Sequence, residues 1–122
     1  MKEKLPERRR FIRLEVPLKV VVKNDNQAYD VITKNISPIG LRFEIGIELM
    51  DRQDLEMDLF IPDLDAPILI KGIVVWHKKM SLEDDAPYDV GVEITKVEEE
   101  KKNDFLKYLC DLMYNLKPKI RM

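Results

Sequence analysis

The 122-residue sequence contains one cysteine, one histidine, one tryptophan and four glycines, and these scarcities exclude whole classes of function. A lone Cys110 permits no internal disulfide and suits a reducing compartment. With one cysteine and one histidine (His77), zinc clusters and Cys–His or Ser–His–Asp catalysis centred on several such residues are nearly ruled out. No apolar run approaches the roughly 18 residues of a spanning helix. The opening MKEKLPERRR lacks the apolar stretch of a secretory signal. The expectation is a cytoplasmic, non-membrane-spanning protein with no metal and no catalytic residues. There is no internal repeat, no low-complexity tract and no Gly/Ser linker.

With 45% apolar and 36% charged residues, the chain has the composition of a folded globular domain. At this length one domain buries roughly two-thirds of its unfolded surface, enough for a core without staples. The net charge of −2 conceals an asymmetry. Residues 1–23 carry eight basic side chains against Glu3, Glu7 and Glu15, while the other 99 residues carry 13 basic and 20 acidic ones. A positive segment on an acidic body fits a small anion or an acidic partner better than it fits duplex nucleic acid, which calls for a broad basic face.

Most of the chain alternates with the period of a strand. Leu14, Val16, Leu18, Val20 and Val22 share one face of 14–22, with Pro17 marking an edge or bulge. After a turn at Asn24–Gln27 come 28–34 and 41–45, then 55–61, the long apolar run 68–77 and finally 88–94. The run 68–77 reads as a strand covered on both faces, with a bend at Gly72. The period then changes. Thr95 and Glu98 have capping-box spacing, and Phe105, Leu109, Leu112 and Leu116 recur on one helical face with Leu106, Cys110 and Met113 beside them. Pro118 reads as the stop. The prediction is a mainly β protein: a six-stranded antiparallel β-barrel over 14–95, a C-terminal helix over 96–117 packed on it to cover its open side or edge, and a flexible basic arm over 1–13.

Two stretches are not needed to build a barrel. Arg8, Arg9, Arg10 and Arg13 crowd four guanidinium groups into six residues, and a nearby anion would relieve their repulsion. Each guanidinium is a planar fork matched to phosphate oxygens or to the O6/N7 edge of guanine. Arg9 and Arg13 address one side of a turn, or one face of an extended chain about 13 Å apart. The second stretch is Asn35-Ile36-Ser37-Pro38-Ile39-Gly40, in which Asn35 and Ser37 point the same way if the backbone is extended. Gly40 allows a positive φ or a close ligand approach. Alone, the first stretch reads as a solvated arm and the second as an ordinary loop. Trp76 reads as a core or barrel-mouth residue or as a stacking surface for a base; His77, next to it in a strand, points to solvent, and Cys110 packs.

Together, Arg9-x-x-x-Arg13, one hairpin, and Asn35-x-Ser37-x-x-Gly40, in a chain of six strands and a final helix, resemble the PilZ domain family over essentially the whole chain. The resemblance implies binding of the bacterial second messenger cyclic di-GMP by Arg9, Arg13, Asn35, Ser37 and Gly40, with no cofactor. Arg8 is the position that the family associates with a stacked ligand dimer, and Arg10 and Trp76 are further candidate contacts. Asn35 stands where the family has Asp or Asn, so the acceptor here is neutral. The implied function is a non-enzymatic receptor for motility or biofilm control that passes a ligand-driven change to an effector protein. Two readings compete: a PilZ-like adaptor working by protein contact without nucleotide, and a small nucleic-acid-binding β-barrel. The second calls for a basic chain with exposed aromatics, whereas this one has a pI near 5.5 and 7% aromatics, so no DNA or RNA partner is expected.

Overall fold

The structure is a computed structural model that describes residues 13–121, with side chains as far as residue 115. Six antiparallel strands form a closed barrel: β1 (Lys19–Asn24), β2 (Gln27–Ser37), β3 (Gly40–Ile45), β4 (Asp54–Leu59), β5 (Ile68–Lys79) and β6 (Tyr88–Val97). Around the barrel the order is β1-β2-β3-β6-β5-β4, and β1 closes the ring by pairing with β4 through Val20–Leu59 and Val22–Met57. Closure removes both sheet edges, so no open side remains for the helix to cover.

The alternation read in the sequence fills the interior. Val20, Val22, Phe43, Leu55, Met57, Leu59, Ile68, Val74 and Val90 are all essentially inaccessible to solvent. Asp25 and Asn26 both have positive φ, as a two-residue type I′ turn requires, and they join β1 to β2 with matching twist. Regular pairing starts later than the alternation suggests, at Lys19 rather than at residue 14. Pro17 lacks a donor, and Leu14 makes only an isolated bridge to Ile36. The intervening segment is held by Thr33 instead. Its buried hydroxyl accepts from Leu18 N at 2.9 Å and donates to Val16 O at 2.6 Å.

β5 is not covered on both faces. Leu69, Val75 and Trp76 are 50%, 40% and 37% exposed, because one face of every barrel strand meets solvent or a neighbouring site. Gly72 does mark an irregularity, since the β5–β6 register shifts between Lys71 and Gly72. The helix also starts later than expected. Thr95 and Val97 belong to β6, whose pairing with Ile70 and Lys71 outcompetes a local cap. Glu98 uses its side chain to accept from Leu69 N at 3.1 Å. A 3-10 turn (Glu99–Lys101) then leads into α1 (Lys102–Arg121), which continues past Pro118. A proline takes one bond out of a helix without forbidding it.

Phe105 and Leu109 of α1 enter the barrel's own core cluster, flanked by half-buried Leu106, Leu112 and Met113. Cys110 is exposed, having rotated about 100° past Leu109. Lys101 donates to Pro67 O at 3.2 Å, fastening the helix start to the β4–β5 loop. Burial and the nearby Asp63 carboxylate push the Tyr108 hydroxyl above its ordinary pKa. Among the described residues no helix is long and apolar enough to cross a membrane. Thr33→Val should lower unfolding free energy by about 1–3 kcal/mol, the cost of leaving the Leu18 amide and Val16 carbonyl unpaired. Thr33→Ser should recover most of it. Urea denaturation measures both, and a Val variant within 0.5 kcal/mol of wild type by the usual scatter of neutral substitutions would contradict this role.

Candidate functional site

The site lies outside the barrel, where β2, β3, β5 and β6 meet the lead-in to β1. Two one-residue bulges aim its side chains. Thr33 pairs with Phe43, but Asn35 pairs with Arg42, so β2 carries Lys34 as an extra residue. Without it Asn35 would share the inward face of Thr33; with it Asn35 points out while Ile36 returns to the core. The same happens on β5, where Val74 pairs with Val92 and Trp76 with Gly91, leaving Val75 extra. Trp76 therefore faces outwards, and is neither a core nor a barrel-mouth residue. The shift also turns His77 back toward the barrel end, where it is half-buried, lies edge-on to Tyr88 and places Nε2 3.4 Å from Asp51. The simple alternation that sent His77 to solvent fails because a bulge resets the period.

Arg13, Asn35, Ser37, Gly40, Arg42 and Trp76 all line one hollow of about 380 Å³. Arg13 gets there through the residue after it. Leu14 N donates to Ile36 O at 2.8 Å and Ile36 N to Leu14 O at 3.0 Å, while the Leu14 side chain is buried. Alternation then leaves Arg13 exposed beside the Asn35–Ser37 face. Asn35 and Ser37 belong to the end of β2 rather than to a loop, which is why they point the same way. Ser37 is buried, and its Oγ accepts from Ile39 N at 3.3 Å, which tightens the turn into β3. Gly40 does not have positive φ. It is needed for close approach of strands, since a Cβ there would stand 2.8 Å from Val92 O. Arg8, Arg9 and Arg10 lie outside the described residues.

One residue at the site carried no motif. Arg42 donates Nε to both carboxylate oxygens of Asp89, at 3.0 and 3.2 Å, and Nη2 to Oδ2 at 2.6 Å. Its guanidinium carbon lies 5.6 Å from the centre of the Trp76 ring. Lys34 adds a contact of 3.6 Å to Asp89 and one of 2.9 Å to Glu44. The hydrogen-bonded guanidinium of Arg42 holds the Asp89 carboxyl below its usual range against the opposing effect of burial. Reciprocally, Asp89 raises the pKa of Arg42. Alternation in 41–45 does put Arg42 outside, but its partner is 47 residues away and invisible to local pattern.

A larger and more open hollow, about 730 Å³, lies by the β1–β2 turn. Asp25, Asp54 and Glu56 line it against Lys23, so its net negative charge would repel an anion despite its size. Among the described residues no cluster of three or more His, Cys, Asp or Glu side chains is arranged to hold a metal.

A PilZ domain family model matches residues 7–110. Solved structures with the same fold include the Bacillus subtilis inhibitor of motility MotI/DgrA, at 15% identity and TM-score 0.71, covering 88% of this chain and 52% of that one. The PilZ domain of Escherichia coli YcgR with c-di-GMP matches at 12% identity and TM-score 0.68, covering 93% and 98%. The K. pneumonia MrkH–c-di-GMP complex matches at 19% identity and TM-score 0.73, covering 91% and 55%. At these identities the likeness is one of fold. The chain spans about half the length of MotI/DgrA and MrkH, and nearly all of the isolated YcgR domain. No curated protein matches the sequence.

The Arg42–Asp89 pair generates a pH prediction. A carboxyl whose pKa is lower folded than unfolded stabilises the fold above its ordinary value near 3.9, and that contribution is lost as pH falls through the folded value. Asp89→Asn should therefore cost about 1–2 kcal/mol at pH 7, discounted for an Arg42 side chain that is 37% exposed. The gap to wild type should narrow below pH 4. Denaturant midpoints at pH 7 and pH 3 test this, and a gap that does not depend on pH would refute it.

Proposed function

The chain belongs to the PilZ domain family, and from that premise we propose that it is a bacterial, cytoplasmic cyclic di-GMP receptor that acts by binding and not by catalysis. The observation that supports this most is the convergence of Arg13, Asn35, Ser37 and Gly40 on one hollow, from motifs separated by a whole hairpin. Cyclic di-GMP has two phosphates and two guanines. Arg13, with Arg9 and Arg8 from the arm, supplies forked donors for phosphate oxygens and Hoogsteen edges. Asn35 offers both a donor and an acceptor to a guanine edge from the β2 end. Trp76 offers a π-face at the same hollow. The YcgR domain and the MrkH complex named above both hold c-di-GMP, which agrees with this reading.

Signalling follows from the geometry of attachment. Arg13 is one residue from the Leu14–Ile36 bridge, so a ligand held between Arg9, Arg13 and the β2 end ties residues 1–13 to the barrel. The surface so formed is what an effector protein would read. Charge-assisted ordering of this kind costs conformational entropy, which the phosphate contacts offset.

Isothermal titration with micromolar cyclic di-GMP is the direct test, and absence of heat would reject the receptor reading. Arg13→Ala and Arg9→Ala should each weaken binding roughly 10–150-fold, equivalent to about 1.5–3 kcal/mol for lost charged hydrogen bonds. Ser37→Ala should be milder. Lys107→Ala, a helix-surface change at a residue paired with Asp111, should leave binding unchanged.

A further inference from the structure

Three neighbouring strands place Arg42, Gly91 and Trp76 in one row on the outer face. Gly91 of β6 is the cross-strand partner of Arg42 on β3 and of Trp76 on β5. A Cβ at Gly91 would overlap the indole at Nε1 and Cε2. The missing side chain is what lets Trp76 lie across β6 toward Arg42. Two residues earlier on the same face, Asp89 grips Arg42 by Nε and Nη2, leaving Nη1 as the free edge among the described residues. Asp89 is almost fully buried, while Arg42 and Trp76 both line the hollow shared with Arg13 and Asn35. Trp76 is an exposed aromatic and takes no part in the apolar core.

We propose that Asp89 and Gly91 are positioning residues that set Trp76 and Arg42 as one platform for a guanine base of the ligand. Gly91 admits the indole across the strand, and Asp89 fixes the guanidinium beside it. The ring then takes a base face and Nη1 takes an acceptor on the base or the phosphate. This assignment rests on the cyclic di-GMP reading above. It predicts that affinity depends on a carboxylate that never touches the ligand.

Trp76 is the sole tryptophan, so its emission reports on the platform alone. The full chain is titrated with cyclic di-GMP by emission and by calorimetry in parallel. Wild type should show quenching together with heat. Asp89→Asn and Arg42→Ala should each weaken binding about tenfold, the scale of one stacking or charged contact. In an Arg42→Ala background, Asp89→Asn should add nothing, because it acts only through Arg42. Arg42→Lys keeps the charge but loses the fork, and should repeat the loss. Gly91→Ala should shift the emission of the unliganded protein and remove the quench. Far-UV circular dichroism confirms that each variant is folded. Equal losses from Asp89→Asn in both backgrounds, wild-type affinity in Asp89→Asn or Arg42→Lys, or wild-type emission and quench in Gly91→Ala would overturn the platform. Heat from wild type without any emission change would overturn it while leaving the receptor reading intact. No heat at all would overturn both.

Discussion

Side chains on a strand change face at every residue, and the polar and aromatic outer hollow of this barrel exists because that period is broken once in β2 and once in β5. Lys34 is the extra residue in one strand and Val75 in the other. Each bulge leaves the residues before it directed into the core, as with Thr33 and Val74, and turns Asn35 or Trp76 outwards. Had either strand kept a regular register, a polar amide or an indole would have been forced into an interior already filled by Phe43, Val90 and Met57. The bulges therefore reconcile a packed core with a polar and aromatic outer site on the same strands.

The β2 bulge is coupled to the lead-in of β1. Thr33, the last inward residue before the extra one, spends its hydroxyl on Val16 and Leu18. Ile36, the first inward residue after it, bridges Leu14. These two attachments bracket Lys34 and Asn35 and bring Arg13 alongside them. A segment that contains Pro17, and so cannot pair as a full strand, is thus held by the hydroxyl and backbone N–H of Thr33 and by one bridge. Arg13, the first described residue, is thereby set at the hollow.

Charge at the surface is arranged around one buried carboxylate. Asp89 draws Arg42 and Lys34 together, and Lys34 in turn holds Glu44. Lys34 is the bulge residue itself, so the extra residue in β2 also contributes to the ion-pair network on β3 and β6. The result is a cationic fork held beside an aromatic ring, both facing a hollow into which Arg13 adds a further cation.

The strand count, the antiparallel barrel and the helical face around Phe105 and Leu109 were legible in the sequence because burial imposes periods of 2 and 3.6 on any chain that forms these elements. The two motifs were legible too, as a spacing across one hairpin, and of the arginine run the described residues include Arg13, which lines the hollow with Asn35, Ser37 and Gly40. The late start of α1 was not, since the Thr95–Glu98 pattern is a local signal overridden by pairing of β6 with β5. Nor were the outward turn of Trp76, the inward turn of His77 and the grip of Asp89 on Arg42. Each depends on register between strands or on partners up to 47 residues apart, and a register is set by how the whole core packs. The sequence alone determined which residues are chemically suited to an anionic nucleotide. Only the closed barrel, by fixing where the alternation breaks, decided which of them line one hollow together.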